Sequence, residues 1–118
     1  MKFPALIILA ALLAMSCKKA ATEEPQVCIN NCMQTMIDSA MANPKGYVLN
    51  KIDAYQYKSN TVYLYYAGCC DRYNELKDGN CNYLFAPSGG ATGGGDNQHL
   101  DFFKEAKFIM TVWVDPRL

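Results

Sequence analysis

YVLNKIDAYQYKSNTVYLYYA, residues 47–67, decides the fold. Tyr47 to Tyr57 and Thr61 to Ala67 are rich in β-branched and aromatic residues, which fit a pleated, half-buried surface. Lys58-Ser59-Asn60 between them predicts a three-residue hairpin loop. In the second segment Val62, Leu64 and Tyr66 alternate with Tyr63 and Tyr65, so both faces carry apolar area. That is the pattern of a central strand. Downstream, Asp78-Gly79 predicts a hairpin joining Tyr73–Lys77 to Cys81–Ala86. After a glycine-rich loop, Leu100 to Ala106 predicts a short turn of helix, and Phe108 to Val114 a last strand ended by Pro116.

Upstream, from Val27 to Ala42, the apolar residues Ile29, Met33, Met36, Ile37, Ala40 and Met41 recur at three- and four-residue steps and so share one helical face. Asn43-Pro44 ends that segment. A copper site would need the methionine sulfurs exposed together; a core face packed by soft side chains is the simpler reading. The expected architecture is α+β: one N-terminal helix on a disulfide-stapled antiparallel sheet of four to five strands, forming a single domain over residues 27–118.

Residues 1–16 carry one charge, Lys2, then an apolar run from Phe3 to Met15 broken by Pro4, then Ser16 before Cys17. This order predicts a secretory signal peptide, too short for a finished membrane span. Leu13-Ala14-Met15-Ser16-Cys17 resembles a lipobox, although Ala14 stands where leucine is commonest. The resemblance implies cleavage before Cys17 and a diacylglyceryl thioether on its sulfur, in place of an ordinary signal peptide or an uncleaved anchor. Residues 17–26 lack apolar periodicity and are expected to be a flexible tether. The product would be lipid-anchored to a bacterial envelope membrane, on the periplasmic or surface face of the outer membrane. The acidic pair Glu23 and Glu24 resembles a surface-export signal placed late.

Removing Lys2 from eleven basic against eleven acidic side chains leaves a net charge near −1. Binding to nucleic-acid phosphates needs clustered Lys and Arg, and the one basic pair, Lys18 and Lys19, sits beside the lipid, where it suits a membrane surface. Of six cysteines, lipidation of Cys17 leaves Cys28, Cys32, Cys69, Cys70 and Cys81, hence at least one odd thiol. Cys28 and Cys32 lie four apart on the predicted helix, so cross-pairing with Cys69 and Cys70 is expected to staple helix to sheet. A vicinal Cys69–Cys70 bond needs a strained eight-membered ring and is disfavoured.

Tyr63-Leu64, Cys69-Cys70-Asp71, Glu75-Leu76, Asp78-Gly79, Pro87, Gly89-Gly90, Thr92-Gly93, Gly95-Asp96 and Phe102, in that order, resemble a family of small Bacteroidota envelope lipoproteins classed as a domain of unknown function. The resemblance spans most of residues 28–116. It implies the fold and the address, and no activity. The family has cysteines near the places of Phe85 and His99 in this chain, so its disulfide pattern does not carry over.

Gly89 to Gly95 lacks a Cβ at five of seven positions, which lets backbone approach a ligand closely. It has neither the lysine of a P-loop nor the spacing of a dinucleotide fingerprint. Calcium is the cofactor it would suit, with Asp71, Asp96 and Asp101 supplying carboxylates to the Gly89–Asp96 loop, although EF-hand spacing is absent. Otherwise the glycines serve turns and Asp96 caps the next segment. His99, the only histidine, would be the partner of Cys70 or Cys81 in a thiol-dependent enzyme or redox protein. Zinc by Cys and His is arithmetically available, but the spacing suits oxidised staples. Tyr55, Tyr57, Tyr63, Tyr65, Tyr66, Tyr73 and Tyr83 gather on the predicted hairpins, where part of them face the core and the rest offer contact area to a protein or glycan partner. The expected function is a non-catalytic interaction module of the envelope, with the thiol and calcium readings as alternatives.

Overall fold

The computed structural model describes residues 17–18 and 27–118; the signal peptide (1–16) and most of the expected tether (19–26) lie outside the described residues. The elements run β1 (Cys17–Lys18), β2 (Val27–Cys28), α1 (Asn31–Ala42), β3 (Leu49–Tyr57), β4 (Asn60–Ala67), β5 (Tyr73–Lys77), β6 (Tyr83–Gly89), α2 (Phe102–Glu105) and β7 (Lys107–Val114). β1 and β2 form a small antiparallel pair, and the other five strands form one antiparallel sheet in the order β6-β5-β4-β3-β7. β4 is indeed central. The β3–β4 turn is tighter than expected: Tyr57 pairs with Asn60, leaving only Lys58 and Ser59, both at positive φ, in the loop.

The expected α+β domain led by an N-terminal helix is not what forms. The molecule is mostly a five-strand antiparallel sheet, with a short helix set into it after an extended segment. The predicted helical segment starts too early, at Val27, because Val27 is buried in extended conformation against the same core as α1. The Asn30 side chain accepts a hydrogen bond from Met33 N at 3.0 Å and caps the helix, so the 12-residue α1 begins only at Asn31. Met33, Ile37 and Ala40 are buried, whereas Met41, placed on the apolar face by spacing, is exposed.

The sheet has apolar side chains on both faces. On one, Ile52, Ala54, Tyr63 and Tyr65 pack with Met33, Ile37 and Ala40 of α1. On the other, Tyr57, Val62, Leu64, Leu76 and Phe85 surround Phe102. Phe102 comes from the connection between β6 and β7. Those strands lie on opposite edges, so this connection has to cross the sheet, and it covers the second face on the way. Phe102 is 1% exposed, and its ring meets Tyr57, Tyr55 and Phe85 edge-on at centroid distances of 5.2, 5.3 and 5.8 Å.

α1 is fastened at both ends. At its start, the Asn30 amide donates to Gly79 O in the β5–β6 turn, and a Cys32–Cys81 disulfide joins the same two regions. At its end, Arg117 donates to Ala40 O, which also accepts from the capping Asn43 N at 3.3 Å, and to Asn43 O, each Arg117 bond at 2.9 Å. The same guanidinium donates to both carboxylate oxygens of buried Asp115, at 3.0 and 2.8 Å. These bonds hold the Asp115 carboxyl at about 2, below its ordinary 3.8.

Two outcomes follow from this packing. Phe102→Ala removes the plug of the second core and should lower unfolding free energy by about 3 to 5 kcal/mol in urea titrations. Arg117→Met should destabilise the fold in a pH-dependent way. Because the folded Asp115 value lies below the unfolded one, its contribution is complete above 3.8 and is lost as pH falls toward about 2. The gap between wild-type and variant melting temperatures should therefore be constant near neutrality and narrow across that acid window.

Candidate functional site: the cystine turn and glycine loop

β4 ends at Ala67, and Gly68 then passes directly beneath the segment that leads into β3. A Cβ on Gly68 would lie 2.1 Å from Gly46 O, so only glycine allows this crossing. Next come Cys69 and Cys70, joined by a vicinal disulfide with Cα atoms 3.7 Å apart. Cys70 and Asp71 have φ of 72° and 54°, and both are exposed. The expected cross-pairing with Cys28 and Cys32 is thus corrected. Cys32 reaches Cys81 instead, because the N-terminus of α1 lies over the β5–β6 turn and not over the end of β4. Cys28 is also disulfide-bonded, and among the described residues no cysteine is free, so the expected odd thiol is absent there.

The crossing at Gly68 places Tyr47 beside the turn. The Arg72 guanidinium lies over the Tyr47 ring at 5.3 Å, a cation–π contact on the surface. Tyr47 and Tyr73 are about half exposed, at 49% and 50%. Asn74 braces the turn from below: its Oδ1 accepts from Ala67 N at 2.9 Å, and its Nδ2 donates to Ser88 Oγ at 3.0 Å.

The glycine loop joins this turn. Gly89 pairs with Tyr73, and Gly90 N donates to Arg72 O at 2.8 Å. A Cβ on Gly90 would sit 2.6 Å from Tyr73 Cε1, so the missing side chain is what lets the tyrosine ring lie on the loop. The loop closes on itself through Gly89 N to Gly93 O at 3.2 Å and Gly95 N to Gly89 O at 3.0 Å. Its glycines thus serve close packing and turns.

The other predicted residues are not brought together. The Asp96 carboxylate accepts from Ala86 N at 2.9 Å, Gln98 N at 3.0 Å and the Tyr83 hydroxyl at 3.2 Å. Led by the Ala86 bond, these contacts lower its pKa. They make Asp96 a staple between the loop and β6. Asp71 belongs to the cystine turn, and Asp101 pairs with Lys104 at 3.8 Å beside α2. Among the described residues no three His, Cys, Asp or Glu side chains are grouped to hold a metal ion. His99 stacks on Phe85, centroids 3.8 Å apart and planes 16° from parallel. Cys70 and Cys81 are both in disulfides, which leaves the thiol reading without a nucleophile in this oxidised state.

Beside the cystine turn a cleft of about 390 Å³ opens between α1 and the sheet, lined by Met36, Val48, Leu49, Tyr65, Ala67, Asp71, Arg72, Tyr73 and Glu75. Burial pushes the Tyr65 hydroxyl up to about 12, and that hydroxyl lies 3.6 Å from Cys81 Sγ. Sequence reading missed the Tyr47–Arg72 pair and the role of Asn74. The available signal was Gly68 directly before the adjacent cysteines, a residue that marks close backbone approach at a strand end.

A small antiparallel sheet closed by disulfides, with its unusual residues gathered at one rim, defines the class. The chain belongs to a family described as a domain of unknown function (DUF6970), whose model matches residues 38–115, more than half of the chain. That span contains the cystine turn, the glycine loop and all five main strands, and leaves Cys32 outside. No curated protein and no solved structure matches the chain.

The two disulfides should behave oppositely. Cys32–Cys81 closes a separation of 49 residues, so Cys32→Ala with Cys81→Ala should cost about 4 kcal/mol in urea unfolding by the loop-entropy relation. Cys69–Cys70 closes no loop, and Cys69→Ala with Cys70→Ala should change stability by under about 1 kcal/mol by the same relation.

Proposed function

We propose that this protein is a non-catalytic binding module, held at a bacterial envelope membrane by a lipid on Cys17, that meets its partner at the cystine-turn rim. The observation that carries this reading is the hydrogen bond from Gly90 N to Arg72 O. It unites the Cys-Cys-Asp turn with the glycine loop, and the rim they form presents Tyr47, Arg72 and Tyr73 to solvent beside a cleft. Tyrosine and arginine give large contact area with polar tips and are favoured at the centres of interfaces. The chemistry a thiol enzyme would need is engaged elsewhere, with His99 stacked on Phe85 and the candidate cysteines oxidised. For the anchor, the support is the apolar run ending at Ser16-Cys17.

The anchor is tested by growing the source bacterium with an alkyne fatty acid. Wild-type protein should take up the label and sediment with membranes, and Cys17→Ser should lose both. One sulfur carries either a thioether or a disulfide, so non-reducing peptide mapping that finds Cys17 in a disulfide would refute the lipid. The rim is tested by immobilising the detergent-solubilised full protein and comparing retained envelope proteins and polysaccharides. A component held by wild type and lost with Tyr47→Ala plus Tyr73→Ala is the expected result; identical retention by the double variant would sink the assignment.

A further inference from the structure

We infer that the cleft between α1 and the cystine turn is a saccharide site, taking one or two neutral pyranose rings of a polysaccharide. The inference rests on the binding-module reading and names the ligand class. At about 390 Å³ the cleft lies within the size range of small-molecule sites. Its lining divides into two chemistries. Met36, Val48 and the half-exposed Tyr73 ring supply apolar surface, while Asp71, Arg72 and Glu75 bring charged groups to the same cleft.

That combination discriminates among ligands. A purely apolar molecule would take water from two carboxylates and a guanidinium without replacing their hydrogen bonds, which costs more than its own burial returns. A phosphate-bearing or otherwise polyanionic ligand would meet two carboxylates and find both nearby cations engaged, Arg72 over Tyr47 and Lys77 paired with Glu75 at 3.6 Å. A pyranose fits both parts. Its C–H face packs on aromatic and aliphatic carbon, and adjacent hydroxyls donate to carboxylate oxygens in short, charge-assisted bonds.

The site is also pre-ordered. The Tyr73 ring lies against Gly90, and Arg72 is fixed through its carbonyl to the same glycine and through its side chain to Tyr47. The vicinal cystine holds the turn that carries Asp71 and Arg72. Little side-chain freedom is left to lose on binding, which suits a ligand whose own contribution per atom is small.

The test is affinity electrophoresis of the full protein in mild detergent, through gels containing an α-glucan, a β-glucan, mannan, galactan or xylan, with polygalacturonate as the anionic arm. Retardation by at least one neutral polymer is expected. It should persist in Tyr73→Phe, which keeps the ring, and fall by roughly tenfold or more, a typical change for one lost charge-assisted bond, in Tyr73→Ala and in Asp71→Asn with Glu75→Gln. Melting curves of each variant confirm the fold, and the carboxamide variant guards against damage from removing the ring. No retardation by any neutral polymer, retardation by the anionic arm alone, or equal retardation of all variants overturns the saccharide assignment. If the envelope retention described above still depends on Tyr47 and Tyr73 in that case, the binding-module reading stands and only the ligand class is wrong.

Discussion

β4 carries apolar side chains on both faces, and this one constraint shapes the rest of the molecule. Leu64 and Tyr65, neighbours in sequence, are 0% and 3% exposed although they point to opposite sides of the sheet. A strand of this kind is stable only between two covers. The 12-residue α1 covers one face and cannot reach the other. The second cover is the β6–β7 connection, which contributes Phe102 and whose glycine loop is pinned at its outset to β5. Loop, short helix and edge strand are therefore parts of one solution to a problem posed by residues 62–66.

The same arrangement explains where the exposed chemistry gathers. α1 is tied at its start to the β5–β6 turn by Asn30 and Cys32–Cys81, and at its end to the C-terminus by Arg117. With the helix fixed at both ends, the turn after β4 carries no duty in holding it. That turn is free to display Asp71, Arg72 and Tyr73, and the segment entering β3 adds Tyr47 because Gly68 lets it pass close. A rigid scaffold that presents side chains on a short turn is the usual division of labour between core and site.

Much of the sheet was legible because its signals are local. The β-branched and aromatic runs marked β3, β4 and β7, Asp78-Gly79 marked the β5–β6 hairpin, and Asn43-Pro44 marked the end of α1. The errors arose where a distant partner decides. Ile29 shares the helical phase of Met33, yet the helix begins only at Asn31, because Val27 joins the core from β2 and Asn30 caps the helix. The pairing of Cys32 depends on α1 lying over residue 79, which nothing near Cys32 encodes. For the site, Cys-Cys-Asp and the glycine run were visible as unusual. Their hydrogen bond was not, since it follows from the register of β5 with β6.

The two described disulfide pairings clarify what the vicinal cystine is for. Cys32–Cys81 joins segments far apart in sequence and restricts the unfolded chain strongly, so it has an evident part in stability. Cys69–Cys70 joins neighbours, restricts almost none of the unfolded ensemble, and lies where solvent reaches it. Its effect is confined to the shape of residues 69–72. Cys70 and Asp71 both occupy the left-handed region, which side-chain-bearing residues adopt at a cost of roughly 1 to 2 kcal/mol each. A covalent brace at this position keeps that conformation without help from the core. Maintaining an expensive, exposed backbone shape that adds nothing to packing makes sense when the shape itself is used, and the groups it aims are Asp71 and Arg72 at the mouth of the cleft.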